Sequence, residues 1–97
     1  MSRRVVAVYP GTFDPITLGH EDILTRSVGM FEHVIVAVAV AYHKKTLFTL
    51  DERLALVRES VVPLGDAVSV ATYDGLVRDF VVANGAKVMV RGVRSAS

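Results

Sequence analysis

Four short runs rich in valine, isoleucine and alanine constrain the fold of this chain more than any other feature. Residues 4–9 and 34–40 are nearly continuous in apolar side chains, which is typical of strands buried on both faces of a parallel sheet. Residues 68–72 and 87–91 are shorter runs of the same kind. Helical patterns separate the four runs, so the sequence predicts the element order β-α-β-α-β-α-β.

Three segments between these runs have helical periodicity. An apolar stripe with three- and four-residue spacing predicts a first helix over about residues 19–30. A second helix is predicted to begin after Thr49, because Thr49 and Glu52 have the spacing of a capping box, and to stop at Pro63. A third helix is expected at about residues 76–84. All three fit between the predicted strands.

The short connections predict the topology of the sheet. Right-handed crossovers lead to an α/β fold, a doubly wound, Rossmann-like parallel sheet with strand order 3-2-1-4 and helices on both faces. Ligands of such sheets bind beyond the carboxyl ends of the strands, where the strand order reverses. In this chain those positions are the loops after Tyr9 and Val90. The chain is short enough that residues 1–97 are expected to form a single domain.

Composition argues against several classes of function. The formal net charge of +1 gives no overall field for binding nucleic acid or an anionic membrane. The absence of cysteine excludes disulfides, thiolate metal sites and thiol catalysis. The longest apolar run is far shorter than the roughly 20 residues of a transmembrane helix. We therefore expect a soluble cytoplasmic protein, although its mean hydropathy of +0.44 suggests that a partner covers some apolar surface.

The loop from Tyr9 to His20 has the sequence Tyr-Pro-Gly-Thr-Phe-Asp-Pro-Ile-Thr-Leu-Gly-His. His20 precedes Ile23 and Leu24 by three and four residues, so it continues the inward stripe of the first helix. The N–H groups at a helix start attract phosphate, and an imidazole donor beside them can stabilise charge on a phosphoryl group. The hydroxyl of Thr12 can bond to the same phosphate. The alternative is an exposed histidine in the first helical turn.

Two further loops carry positive charge at the same edge of the predicted sheet. Lys44 and Lys45 follow the second strand, where a flexible ammonium group can reach a phosphate. Arg91 and Arg94 flank a Gly-Val pair after the fourth strand. Burying an unpaired guanidinium is costly, and two arginines around a glycine suit bidentate binding of phosphate. In both loops the alternative is a charged segment that is only solvated.

These motifs carry a resemblance to a known family. Pro-Gly-Thr-Phe-Asp-Pro with Thr-Leu-Gly-His resembles the signature of the nucleotidylyltransferase superfamily. The pattern Lys-Lys-x-x-Phe-x-Leu-x-Glu-Arg at residues 44–53 and Arg-Gly-Val-Arg at 91–94 resemble the phosphopantetheine adenylyltransferase family. The resemblance implies transfer of the adenylyl group of ATP to 4'-phosphopantetheine, which gives dephospho-CoA and pyrophosphate, with Mg²⁺ bound to the nucleotide. It also implies CoA as a product-type inhibitor and a homo-oligomer, a hexamer in the family.

The resemblance implies roles for individual residues. His20 and Lys44 are expected to be catalytic, by stabilising an in-line attack on the α-phosphate. The residues expected to bind ATP are Thr12, Phe13, His20, Gly92, Val93 and Arg94. Those expected to bind 4'-phosphopantetheine are Thr12, Lys44, Leu76, Val77 and Arg91. Periodicity alone instead favours core positions for Leu76 and Val77. His33 and His43 are expected at the surface, and no metal ligand is expected.

Two alternative functions remain open. One is another nucleotidylyltransferase, for instance one that acts on nicotinamide mononucleotide or glycerol phosphate. The other is a nucleotide-binding module without turnover. Family members continue beyond the Arg-Gly-x-Arg motif with an acidic stretch and a Ser-Ser-x-x-x-Lys/Arg motif that holds the ATP phosphates, and these 97 residues contain neither. We therefore expect a chain that is truncated relative to the family.

Overall fold

A computed structural model gives the structure of residues 5–40 and 45–91. Within these residues, four strands alternate with three α-helices. The strands are β1 (Val6–Gly11), β2 (His33–Ala39), β3 (Val68–Tyr73) and β4 (Val88–Met89), and the helices are α1 (Leu18–Val28), α2 (Leu50–Val61) and α3 (Val77–Ala83). A 3-10 helix, Val62–Ala67, follows α2 directly. The predicted order of elements is confirmed, with α1 shifted about one residue towards the amino terminus.

The strands form one parallel sheet in the order β3-β2-β1-β4, as the crossover rule predicts. Val34 of β2 lies opposite Ala7 of β1 on one side and Val68 of β3 on the other. The short strand β4 pairs with β1 on its other edge, where Val88 lies opposite Ala7. The carboxyl ends of β1 and β4 are therefore neighbours at the place where the strand order reverses.

Different helices cover the two faces of the sheet, which confirms the layered architecture. On one face, a buried core combines alternate residues of β2 with α1 and α2; it includes Val34, Val36, Val38, Leu24, Leu54, Val57 and Val61. Tyr73 comes five residues after the core residue Val68, so it lies on the opposite face. There its ring contacts Phe80 of α3, with 5.9 Å between ring centroids.

The predicted capping box begins α2. The Thr49 hydroxyl accepts a hydrogen bond from the backbone N–H of Glu52 at 3.1 Å, and the Glu52 carboxylate accepts one from the N–H of Thr49 at 2.9 Å. These two bonds satisfy helix donors that have no partner inside the helix. Consequently the start of α2 has a defined position in the chain.

Apolar surface remains exposed in the described part of the chain, as the high mean hydropathy suggests. The large exposed apolar side chains are those of Leu18, Met30, Leu47, Val62, Leu76 and Val82. Whether a partner covers them stays a prediction. Among the described helices, none combines the length and the apolar character that crossing a membrane requires.

Candidate functional site

The site lies at the edge of the sheet formed by the carboxyl ends of the strands. Thr12 directly follows β1, which ends at Gly11. On the neighbouring strand, the N–H of Val90 donates to the carbonyl oxygen of Val8 at 2.8 Å, and Arg91 is the next residue. The exposed Arg91 therefore lies at the same edge as Thr12.

His20 lies at this edge because it forms part of the cap of α1. The backbone N–H of Thr17 donates to Nδ1 of His20 at 2.9 Å, and the Thr17 hydroxyl accepts from the backbone N–H of His20 at 3.3 Å. Histidine thus takes the place that glutamate or glutamine has in most capping boxes. Since Nδ1 accepts a hydrogen bond, the neutral ring carries its proton on Nε2. Nε2 is then a donor, which is the role predicted for this side chain.

Two buried aromatic rings support the imidazole. The centroid of His20 lies 4.9 Å from that of Phe13 and 6.2 Å from that of Tyr9, both in edge-on contacts. Phe13 and Tyr9 also contact each other at 5.5 Å, and each is only 3% exposed. Burial raises the pKa of the Tyr9 phenol, so this ring stays neutral near pH 7. The imidazole therefore rests on a packed, uncharged aromatic surface.

Phe13 has an unusual backbone conformation, with φ of +51°. Positive φ is rare for a bulky residue and is accepted only where surrounding contacts fix it. The ring of Phe13 covers Gly11 closely, since a Cβ atom at Gly11 would lie 3.0 and 3.2 Å from two of its atoms. Because the Phe13 side chain is buried, the ATP contact expected of this residue falls to its backbone.

Arg53 links this loop to the end of β2, a role that the sequence analysis missed. It is 2% exposed, and its guanidinium donates to four backbone carbonyl oxygens. The distances are 2.7 Å to Ala39, 3.0 Å to Thr12, 3.2 Å to Val40 and 3.3 Å to Phe48. A signal was available, because an arginine next to the stripe of an amphipathic helix must find acceptors inside the protein.

Asp14 makes a second link between the same parts of the chain. Its carboxylate accepts hydrogen bonds from the backbone N–H groups of Leu47 and Phe48, at 2.6 and 2.8 Å. Phe48 is therefore held at both its N–H, by Asp14, and its carbonyl, by Arg53. These bonds fix residues 47–48, just after the lysine pair, against the loop that carries Thr12.

The other predicted residues differ in their placement. Leu76 is 63% exposed at the start of α3, so the core position that periodicity favours for it is wrong. The periodic pattern includes it, but the residue is the N-cap and precedes the first helical turn. Val77 is half-buried. The contact with 4'-phosphopantetheine expected of both stays a prediction. The remaining predicted positions fall outside the described residues: Lys44, Gly92, Val93, Arg94 and His43.

The described residues contain no group of three or more His, Cys, Asp or Glu side chains that could hold a metal ion. His33 is half-buried, and its Nε2 lies 2.8 Å from the hydroxyl of Ser69 on the neighbouring strand. The arrangement as a whole presents a donor imidazole, a hydroxyl and an arginine at one edge. Such groups suit a phosphorylated ligand.

Several curated proteins are similar in sequence to this chain. Two proteins called phosphopantetheine adenylyltransferase, from an Acidovorax species and from Acidovorax ebreus, are 55% identical over 93 residues, which are 96% of this chain and 56% of each relative. A phosphopantetheine adenylyltransferase from Francisella philomiragia is 49% identical over 92 residues, which are 95% of this chain and 56% of the relative. The chain therefore spans little more than half the length of these relatives.

Similarity also extends to a solved structure and to a family. A bifunctional NMN adenylyltransferase/ADP ribose pyrophosphatase from Francisella tularensis matches with a TM-score of 0.74, at 16% identity, over 97% of this chain and 33% of that protein. At so low an identity the match supports the fold alone. The sequence model of the family described as cytidylyltransferase-like matches residues 8–97, which include the loops after β1, β2 and β4. The chain belongs to the cytidylyltransferase-like family.

Proposed function

We propose that the protein transfers the adenylyl group of ATP to 4'-phosphopantetheine, giving dephospho-CoA and pyrophosphate. The observation that carries the proposal is the imidazole of His20, which the cap of α1 holds with its proton on Nε2 at the edge shared with Thr12 and Arg91. The three relatives named for this activity support the choice of substrates. We also propose that the enzyme is cytoplasmic, because the proposed reaction is a step in the biosynthesis of a coenzyme.

The reaction needs little covalent chemistry from the protein. A phosphate oxygen of 4'-phosphopantetheine attacks the α-phosphorus of ATP in line, and the bond from this phosphorus to the bridging oxygen breaks as pyrophosphate leaves. The Nε2–H of His20 donates to a phosphoryl oxygen and stabilises the charge that develops there. Thr12 and Arg91 orient the attacking phosphate, and the ammonium group of Lys44 places a positive charge beside the same phosphate.

We propose that Mg²⁺ binds to this site together with ATP. Magnesium in nucleotide sites takes many of its oxygen ligands from substrate phosphates. Each carboxylate oxygen of Asp14 accepts a backbone hydrogen bond, from Leu47 or from Phe48, so this side chain has a structural role. The phosphate oxygens of ATP would therefore hold the ion, and its charge would offset theirs. CoA as a product-type inhibitor and assembly into a hexamer belong to the same proposal.

The second candidate is a nucleotide-binding module without turnover. The 97 residues correspond to 56% of the length of the relatives, so the activity of this part is tested apart from that of a full-length protein. The remaining part of those proteins can contain groups that complete the site. Because positioning supplies most of the acceleration in phosphoryl transfer, an incomplete set of contacts is expected to be far less effective than the whole.

Release of pyrophosphate from ATP in the presence of 4'-phosphopantetheine distinguishes the adenylyltransferase from the nucleotide-binding module. We expect little or no release by the 97-residue chain and rapid release when it is joined to the remaining part of the Acidovorax ebreus relative. Equal rates would show that the 97 residues suffice and that the expectation of an incomplete site is wrong. ATP binding without release by either protein would favour the module.

Arg91→Ala tests the assignment of the second substrate. Loss of a charge-assisted contact of about 1.5–3 kcal/mol is expected to weaken binding of 4'-phosphopantetheine roughly 10- to 150-fold, with a smaller effect on ATP. Isothermal titration of the joined protein measures both affinities. Arg58→Ala is the matched control, because Arg58 is also exposed but lies in the last turn of α2. Unchanged affinity in the Arg91 variant would refute the assignment.

A further inference from the structure

We propose that Arg53 is a positioning residue for the transfer reaction, which fixes the loop after β1 relative to the segment that follows the lysine pair. The inference builds on the proposed function, because the loop carries Thr12 and the segment follows Lys44. The side chain of Arg53 does not reach the edge where ligands bind, since it is almost fully buried. Its effect on catalysis would pass through the backbone groups to which it donates.

The hydrogen bonds of Arg53 join three separate parts of the chain. They end on the loop after β1 at Thr12, on the end of β2 at Ala39 and Val40, and on the segment before α2 at Phe48. Among the described residues, no carboxylate lies within ion-pair distance of this guanidinium. The carbonyl oxygens therefore replace water around a buried cation. Moving any of them away leaves the charge poorly solvated, which makes their relative positions hard to change.

The bond to Thr12 connects this buried group to the proposed chemistry. The carbonyl that Arg53 contacts belongs to the peptide joining Thr12 to Phe13, and the Phe13 ring lies against His20 at 4.9 Å between centroids. Asp14, one residue after Phe13, accepts hydrogen bonds from the N–H groups of Leu47 and Phe48 and so ties the same loop to the segment before α2. A shift of this peptide would therefore move a proposed phosphate-binding residue and the support of the imidazole together.

Only arginine can make this set of contacts. The guanidinium is a planar fork whose five N–H groups point outwards in fixed directions, so one side chain reaches carbonyls on several sides. Lysine keeps the charge but has a single ammonium with three donors on a flexible stem. Arg53→Lys thus separates the geometry of the site from its charge. Arg58→Lys is the matched control, because it makes the same change on the exposed side of α2.

The experiment uses the protein joined to the remaining part of its relative, for which the proposed function expects turnover. We expect Arg53→Lys to lower kcat about 10- to 100-fold, as a misplacement near 1 Å can do, while the KM for ATP changes much less and Arg58→Lys changes neither. Combined with His20→Ala, Arg53→Lys should lower kcat by a smaller factor than it does alone, because part of its effect passes through His20. A residue that matters only for folding would lower kcat by the same factor in both backgrounds, and that result would overturn the proposal.

Two further measurements keep the inference testable in every case. If Arg53→Lys does not fold, Asp14→Ala takes its place, since it removes both hydrogen bonds by which the loop after β1 also holds Leu47 and Phe48; an unchanged kcat would overturn the proposal. If the unmodified joined protein releases no pyrophosphate, the proposed function fails, and nuclear magnetic resonance then tests the positioning by itself. Arg53→Lys must shift the amide signals of residues 12–14 and the ring signals of His20. Signals identical to those of the unmodified protein would overturn the inference.

Discussion

Replacing Gly11 with alanine is expected to destabilise the protein by about 1–3 kcal/mol more than the same replacement at Gly29. A Cβ atom at Gly11 would lie 3.0 Å from the ring of Phe13, which is closer than most real Cβ contacts, so the ring would have to give way by a few tenths of an ångström. The ring cannot move away freely, because it is buried against Tyr9 and His20. The added methyl group therefore overpacks this position and forces a shift in the aromatic cluster.

Gly29 is a suitable control because its surroundings accept a methyl group. Its φ of −81° is ordinary for alanine, and the nearest atom to an added Cβ is the carbonyl oxygen of Arg26, at a normal 3.5 Å. Gly11 is likewise absent from the described glycines with positive φ. Both replacements reduce the entropy of the unfolded chain, which stabilises the folded protein by about 0.4–1 kcal/mol in each case. This contribution therefore cancels in the difference between the two variants.

Urea denaturation of the two variants measures the difference in the free energy of unfolding. For a domain of this size, each kcal/mol also corresponds to a decrease of about 4–8 °C in Tm. The displaced Phe13 ring should in addition change the ring signals of His20 in the Gly11 variant and not in the Gly29 variant. Equal stability of the two variants would refute the reasoning, since it would show that the Phe13 ring yields without cost.

Two other predictions concern the rings of this cluster. In the joined protein, His20→Ala is expected to lower kcat about 10²- to 10³-fold with little change in KM, because its donor acts mainly in the transition state; an effect confined to KM, in assays of pyrophosphate release, would remove the residue from that role. Tyr9→Phe is expected to reduce the loss of stability at alkaline pH. Burial raises the pKa of Tyr9 above the 10.0 of an exposed phenol. The neutral phenol therefore makes its full contribution to the free energy of unfolding below pH 10, and this contribution is lost as the pH rises from there towards the folded-state pKa. Urea denaturation between about pH 8 and pH 11 tests this, and identical pH profiles for the variant and the unmodified protein would contradict it.

The fold could be predicted because its signals are local and agree with one another. The apolar runs at β1 and β2 have the composition of buried parallel strands, and the Thr49–Glu52 pair marks the start of α2 within one residue. The handedness of crossovers then leaves few possible strand orders, of which 3-2-1-4 is the usual one. The edge where Thr12, His20 and Arg91 lie follows from that topology without any knowledge of side-chain contacts.

The contacts that hold this edge together could not be predicted in the same way. Arg53 bonds to Thr12, which lies 41 positions earlier in the chain, and Asp14 to Phe48, 34 positions later. No periodicity or spacing rule connects such distant residues. The positive φ of Phe13 is equally invisible, because only tertiary contacts stabilise it in a bulky residue. Leu76 shows the reverse error, where a true helical pattern was extended to a residue that lies just outside the helix.

The Thr-x-Gly-His spacing has a structural cause as well as a chemical one. In a capping box, only the side chain three residues after the N-cap can reach back to the N–H of the cap residue, and Thr17 and His20 have this separation. The same bond that completes the cap occupies Nδ1 and so leaves the proton of the neutral ring on Nε2. Glutamate at this position, as in α2, would complete the cap equally well but would bring an acceptor with a negative charge to the phosphates. Histidine here serves as the cap and as a donor at the same position, which explains why the start of a helix and a proposed catalytic group coincide.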